Sequence, residues 1–173
     1  MSGSHIQHHG THLMKFEHLI EINNPVNPLI PPLSAEQLWQ GLILRAKSPK
    51  LFVPHLDECH VLETSKNTVS RVSHYGNLVV RDTVTFAPQR HVHYLVHPQG
   101  EIPASSLKMT IESPQNDTLF VRFVYEDEKS VAVDAADAMY DEFRKSAYLE
   151  ADIDTIRTIR ELALEGRFDT PLI

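Results

Sequence analysis

From Met14 the chain alternates: Phe16, His18, Ile20 and Ile22 fall on one side of an extended strand, and Lys15, Glu17 and Glu21 on the other. Asn24-Pro25 ends that strand, and the Pro-rich run 26–32 admits no regular element. The period then changes. Ser34 with Gln37 three residues on is a capping-box signature, and Leu38, Trp39, Leu42 and Ile43 make the apolar stripe of a helix. Ser48-Pro49 closes it and opens a second short helix over 49–53, stopped by Pro54.

Six more strands are predicted, over 58–65, 68–75, 78–88, 90–97, 105–112 and 118–125. The breaks between them (Lys66-Asn67, Gly76-Asn77, Pro88-Gln89, 98–100 and 114–117) carry turn chemistry. Links this short require antiparallel hairpins, because a parallel return needs a crossover of about a dozen residues or more. Residues 135–165 read as one long helix, with Asp134 placed to cap it and Gly166 placed to end it. Its apolar residues form two stripes that do not align: Met139, Tyr140, Phe143 and Ala147, then Leu149, Ile153, Ile156 and Leu164. A bend near Glu150, or a helix wrapped across a curved sheet, accounts for both. The order is that of an α+β domain with the long helix on one face of the sheet and an apolar cavity beneath it.

Composition narrows the function classes. A chain of 173 residues, 42% hydrophobic and 23% charged, fits one domain with a sizeable core. A net charge of −7 and no run of Lys or Arg argue against a nucleic-acid partner. No stretch reaches the roughly 20 apolar residues of a membrane span, and no signal-peptide pattern opens the chain. Cys59 is the single cysteine, which suits a reducing cytoplasm, the expected location. Residues 1–13 carry His5, His8, His9 and His12 without periodicity. They are expected to be an unstructured tail, either a remnant of expression or an extended start upstream of Met14, with 14–173 as the single folded domain.

Several segments, taken together, resemble a known family: MKFEHLIEINNP at 14–25, LSAEQLWQGLILRA at 33–46, FVPHLDECHVLE at 52–63, VRDTVTF at 80–86 and LFVRFVYED at 119–127, followed by the long terminal helix. The chain from Met14 onward resembles the AtaL-like branch of the SRPBCC superfamily, the START and Bet v 1-like helix-grip domains. That resemblance implies a strongly curved seven-stranded antiparallel sheet gripping the terminal helix around a hydrophobic cavity. It implies ligands of lipid, sterol or aromatic polyketide-like type, and a cyclase or aromatase activity in some members.

Candidate site residues follow from the alternation. Asp82 shares a face with Leu78, Val80, Val84 and Phe86, so its carboxylate either meets a ligand as polar anchor or base, or sits at the sheet rim, paired with an Arg or facing water. His18, on the apolar face of the first strand, is either a hydrogen-bonded core residue or a second acid–base candidate. Tyr94 and Tyr125 lie on apolar strand faces and can give a greasy pocket its polar points. Trp39, Phe52, Phe123, Phe143 and Tyr148 complete the candidate aromatic wall, with plain core packing the rival reading for each. His91, His93 and His97 share one strand face, but a third ligand at known metal-site spacing is absent, so no metal is expected. No phosphate-cradling loop or dinucleotide fingerprint occurs, and no cofactor is expected. The chain therefore reads as a binding module for a small hydrophobic or aromatic metabolite. A cyclase- or aromatase-like enzyme using the same cavity, and a protein-interaction module, are the alternatives; a homodimer fits any of them.

Overall fold

In the computed structural model, which describes residues 12–129 and 135–169, the alternating first segment is strand β1 (His12–Asn23). It starts two residues before Met14, so that much of the expected tail belongs to the sheet; the rest of the tail and Asp134 lie outside the described residues. Asn23 pins the Pro-rich connection by donating to the Leu33 carbonyl (2.5 Å) and accepting from the Leu33 N–H (2.9 Å). Helix α1 (Ala35–Lys47) follows with the expected box: Ser34 Oγ accepts from Gln37 N–H at 3.0 Å and Gln37 Oε1 from Ser34 N–H at 2.9 Å. The second helix is shorter than expected. It is a single 3-10 turn (Pro49–Leu51), since Pro54 bars Val53 from the helical region.

The six further strands are β2 (Glu58–Ser65), β3 (Thr68–Tyr75), β4 (Leu78–Ala87), β5 (His91–Val96), β6 (Ser105–Glu112) and β7 (Leu119–Lys129). Among the described residues the seven strands form one antiparallel sheet in the order β1-β7-β6-β5-β4-β3-β2. All links from β2 to β7 are hairpins, while α1 carries the chain from one sheet edge to the other. Gly76 (φ 59°) makes the left-handed turn between Tyr75 and Leu78 that sets the β3–β4 register.

Helix α2 (Ala135–Leu164) lies across the inner face and stops at Gly166 (φ 79°). The inward residues of the strands, among them Ile22, Val69, Val84, Val92, Met109, Val121 and Phe123, pack on Leu38, Leu42 and Ala46 of α1 and on Ile156 and Ile159 of α2. Of the two stripes expected on α2, only Ile156 is buried among the described residues. Met139, Tyr140, Phe143, Leu149, Ile153 and Leu164 are exposed, and the inward face reads Asp152, Thr155, Ile156 and Ile159. The N-terminal half of the helix faces the sheet through polar groups, so counting apolar residues picks the wrong side.

Candidate functional site

The strands lead Tyr75, Tyr94, Val96, Leu107 and Tyr125 to the inner face, and α2 lays Tyr148 opposite them. Together with Ser105, Ser106, Glu126 and Asp127 they line a cavity of about 340 Å³. Four tyrosines give it flat aromatic walls with hydroxyl groups, the usual composition of a site for a partly aromatic ligand. The Tyr125 and Tyr148 rings stack at 4.0 Å with 10° between their planes. Arg144 holds Tyr148 by donating to its hydroxyl (3.0 Å) and is itself ion-paired with Asp127.

Behind the wall runs a chain of buried polar groups. The Tyr125 hydroxyl donates to Asp152 Oδ1 at 2.5 Å, and His18 Nε2 meets Asp152 Oδ2 at 2.6 Å. Three elements supply it: β7, α2 and β1. Asp152 has no solvent exposure, and the His18 ring stacks on Phe123 (5.2 Å, 9°). With both Asp152 oxygens accepting, His18 carries its proton on Nε2, and the buried Nδ1 stays without a partner among the described residues. Burial pushes the Asp152 carboxyl above its ordinary range, outweighing the Tyr125 and His18 hydrogen bonds and the attraction of Arg45 that pull it down. Burial, and then repulsion from Asp152, also push the Tyr125 phenol up, so it is neutral at ordinary pH.

Asp82 is on the inner face, where the alternation put it, but it faces Arg71 and not the cavity. The pair is bidentate, Nε–H to Oδ1 at 2.8 Å and Nη2–H to Oδ2 at 2.6 Å, with both side chains 9% exposed. Arg71 also donates to the Ala46 carbonyl at 3.1 Å. Burial works against the Arg71 charge, and the hydrogen bonds and attraction from Asp82 more than offset it.

Of the residues singled out from sequence, Tyr94, Tyr125 and Tyr148 line the cavity, and His18 stands behind Tyr125 with Asp152 between them. Trp39 and Phe123 are packed in the core, Phe52 leans on it, and Phe143 is 77% exposed. Phe143 falls on the solvent side because the buried face of α2 is rotated away from the stripe that contains it. Asp152 and Arg45 were missed, though each left a trace. Asp152 lies four and seven residues before Ile156 and Ile159, and Arg45 continues the Leu38, Gly41, Leu42 face of α1. His91 and His93 are half-buried; burial first, then Lys108, holds both below the usual histidine range. Among the described residues no three His, Cys, Asp or Glu side chains converge as a metal site requires. Cys59 is half-buried, with the Ser73 hydroxyl 3.5 Å from its sulfur. No described helix is long and apolar enough to cross a membrane.

Residues 20–166 match the family model described as "AtaL: Acetylaranotin biosynthesis cluster protein L". No curated protein sequence matches the chain. Among solved structures it is similar to the di-domain ARO/CYC StfQ from the steffimycin biosynthetic pathway (TM-score 0.63, 11% identity, 90% of this chain and 52% of that one). The chain thus spans about half the length of StfQ. It is similar over fuller lengths to norcoclaurine synthase from Thalictrum flavum (TM-score 0.63, 11% identity, 95% and 98%). A third is the Zhui aromatase/cyclase from Streptomyces sp. R1128 (TM-score 0.55, 12% identity, 86% and 92%). At these identities the likeness is one of fold, the helix-grip fold of Bet v 1-like proteins.

Proposed function

The chain belongs to the AtaL family, and from that premise we propose that it takes up a small hydrophobic or aromatic metabolite in the cavity under α2. The observation that carries this reading is the cavity itself: about 340 Å³, walled by Tyr75, Tyr94, Tyr125 and Tyr148. Stacking between tyrosine faces favours a flat unsaturated ligand, and the hydroxyls orient it. The family's description ties it to a biosynthetic cluster, and two of the similar folds are aromatase/cyclases, which supports a metabolite of polyketide-like character. Native mass spectrometry of the protein from its own host, followed by extraction, tests it. A retained small molecule that is lost in Leu107→Trp, with the fold intact by circular dichroism, is the expected result. No retained or bound ligand across a broad aromatic panel rejects the reading.

A second reading, an enzyme, rests on the Tyr125–Asp152–His18 chain. Tyr125 spends its proton on Asp152, so its oxygen is an acceptor toward the cavity. A ligand O–H or acidic C–H can pass its proton to the Tyr125 oxygen while the phenolic proton moves to Asp152. The ligand becomes an enolate or phenolate, Asp152 becomes neutral, and Tyr125 ends unchanged. The raised proton affinity of Asp152 is what such a step needs, since a base works best when its pKa approaches the working pH. Deuterium exchange at the α-carbon of 2-tetralone in D2O tests this version. Wild type is expected to accelerate exchange, and Asp152→Asn and Tyr125→Phe to reduce that by about 10²- to 10⁴-fold. Exchange at the solvent rate with wild type contradicts it.

A further inference from the structure

Tyr94 lines the cavity and is only 5% exposed; its buried hydroxyl lies beside the Arg45 guanidinium, which can only donate, so its own proton has no acceptor among the described residues. A buried hydroxyl whose proton lacks an acceptor is costly, so something in the working protein is expected to accept it. Its surroundings say what. Two guanidinium groups sit over its ring, Arg45 at 5.1 Å and Arg71 at 5.0 Å from the centroid. Arg71 is neutralised by Asp82. Arg45 is not matched in that way. Its Nε–H donates to Thr155 Oγ1 at 3.3 Å, that hydroxyl passes its own proton to the Ala151 carbonyl at 3.0 Å, and no ion pair holds the two Nη groups among the described residues.

We propose that the Tyr94 hydroxyl and the Arg45 guanidinium together seat an anionic oxygen of the cavity's ligand, a carboxylate, enolate or phenolate. This rests on the reading of the cavity as a ligand site and names the chemistry that the ligand must carry. The Tyr94 O–H supplies one hydrogen bond. The N–H groups of Arg45 that are not turned to Tyr94 or Thr155 supply charge and the forked geometry that suits a carboxylate. Competing carboxylates are accounted for. Asp127 is paired with Arg144 and Asp82 with Arg71, while Glu126, at the cavity's edge, forms no ion pair with Arg45. Asp152 attracts Arg45 at longer range without an ion-pair contact, and its raised proton affinity weakens that claim on the Arg45 charge.

The test uses a matched pair of probes, 2-naphthoate and 2-naphthamide, titrated calorimetrically into the wild type, Arg45→Met and Tyr94→Phe, each checked for folding by thermal melt. Wild type is expected to bind the acid at least about tenfold more tightly than the amide, equivalent to about 1.4 kcal/mol. Arg45→Met is expected to abolish that preference while keeping the amide affinity. Tyr94→Phe keeps the shape of the wall and is expected to weaken both probes about three- to tenfold, consistent with one lost hydrogen bond. If the amide binds and the acid shows no preference, or if the preference survives in Arg45→Met, the anionic seat is overturned and the cavity reading stands. If Arg45→Met fails to fold, undiminished binding by Tyr94→Phe overturns it. If neither probe binds wild type, the cavity reading fails and the seat fails with it.

Discussion

A carboxyl group without solvent exposure keeps its charge only if neighbours replace what water supplied. At Asp152 the replacement is partial: two donors at 2.5 and 2.6 Å do not overcome burial, and the proton affinity rises. The folded protein therefore holds that proton to higher pH than the unfolded chain, where Asp titrates at about 3.9. The associated stability is full below that pH and is lost as pH rises through the raised value. The stability advantage of wild type over Asp152→Asn, from urea melts at several pH values, is expected to fall with rising pH by up to about 1.4 kcal/mol per unit within that window. An advantage that grows instead contradicts the account. Arg71→Met should cost about 3–5 kcal/mol because it strands the Asp82 charge, with much of the loss recovered in Arg71→Met/Asp82→Leu. That pair shows how far single residues were readable. Alternation put Asp82 on the inner face, and a two-residue turn at Gly76-Asn77 places Arg71 directly across from it. Asp152 was hidden for a different reason: a charged residue on a helix is assigned to the wet face unless something outside the helix, here His18 and Tyr125, is known to meet it.

Strands were readable because alternation and turn chemistry are local; the β2, β3 and β6 boundaries coincide with those expected from sequence. The face of α2 was not, because its register on the sheet depends on contacts far away in the chain. Arg160 supplies two of them, donating to the carbonyls of Ile22 and Pro31, both at 2.6 Å. Gly41 supplies another. A Cβ there would sit 2.7 Å from two carbons of Ile159, so α1 and α2 approach closely only because this position has no side chain. Gly41→Ala is expected to lower stability by about 1–3 kcal/mol through overpacking, against a helix-propensity gain of about 1 kcal/mol. In a double-mutant cycle with Ile159→Ala the penalty should shrink, and additive losses would show that the contact does not carry it.

The sheet order, with β1 beside β7 and α1 bridging to β2, leaves a concave inner face that a single helix covers. The core is filled where α1 and the C-terminal half of α2 meet; the cavity remains where α2 presents Tyr148 in place of aliphatic residues. The helix-grip architecture could be read from the order of elements and the matching segments, whereas the cavity's polar chemistry emerges only once the sheet, α1 and α2 are assembled. Everything functional in this account depends on a ligand entering that space. Intermolecular nuclear Overhauser effects between the neutral aromatic probe 1-aminoanthracene and the isotope-labelled protein measure this most directly. Contacts from the probe to the ring protons of Tyr94, Tyr125 and Tyr148 and to Leu107 are the expected result. Contacts confined to the outer face of α2, around Phe143 and Ile153, would contradict it.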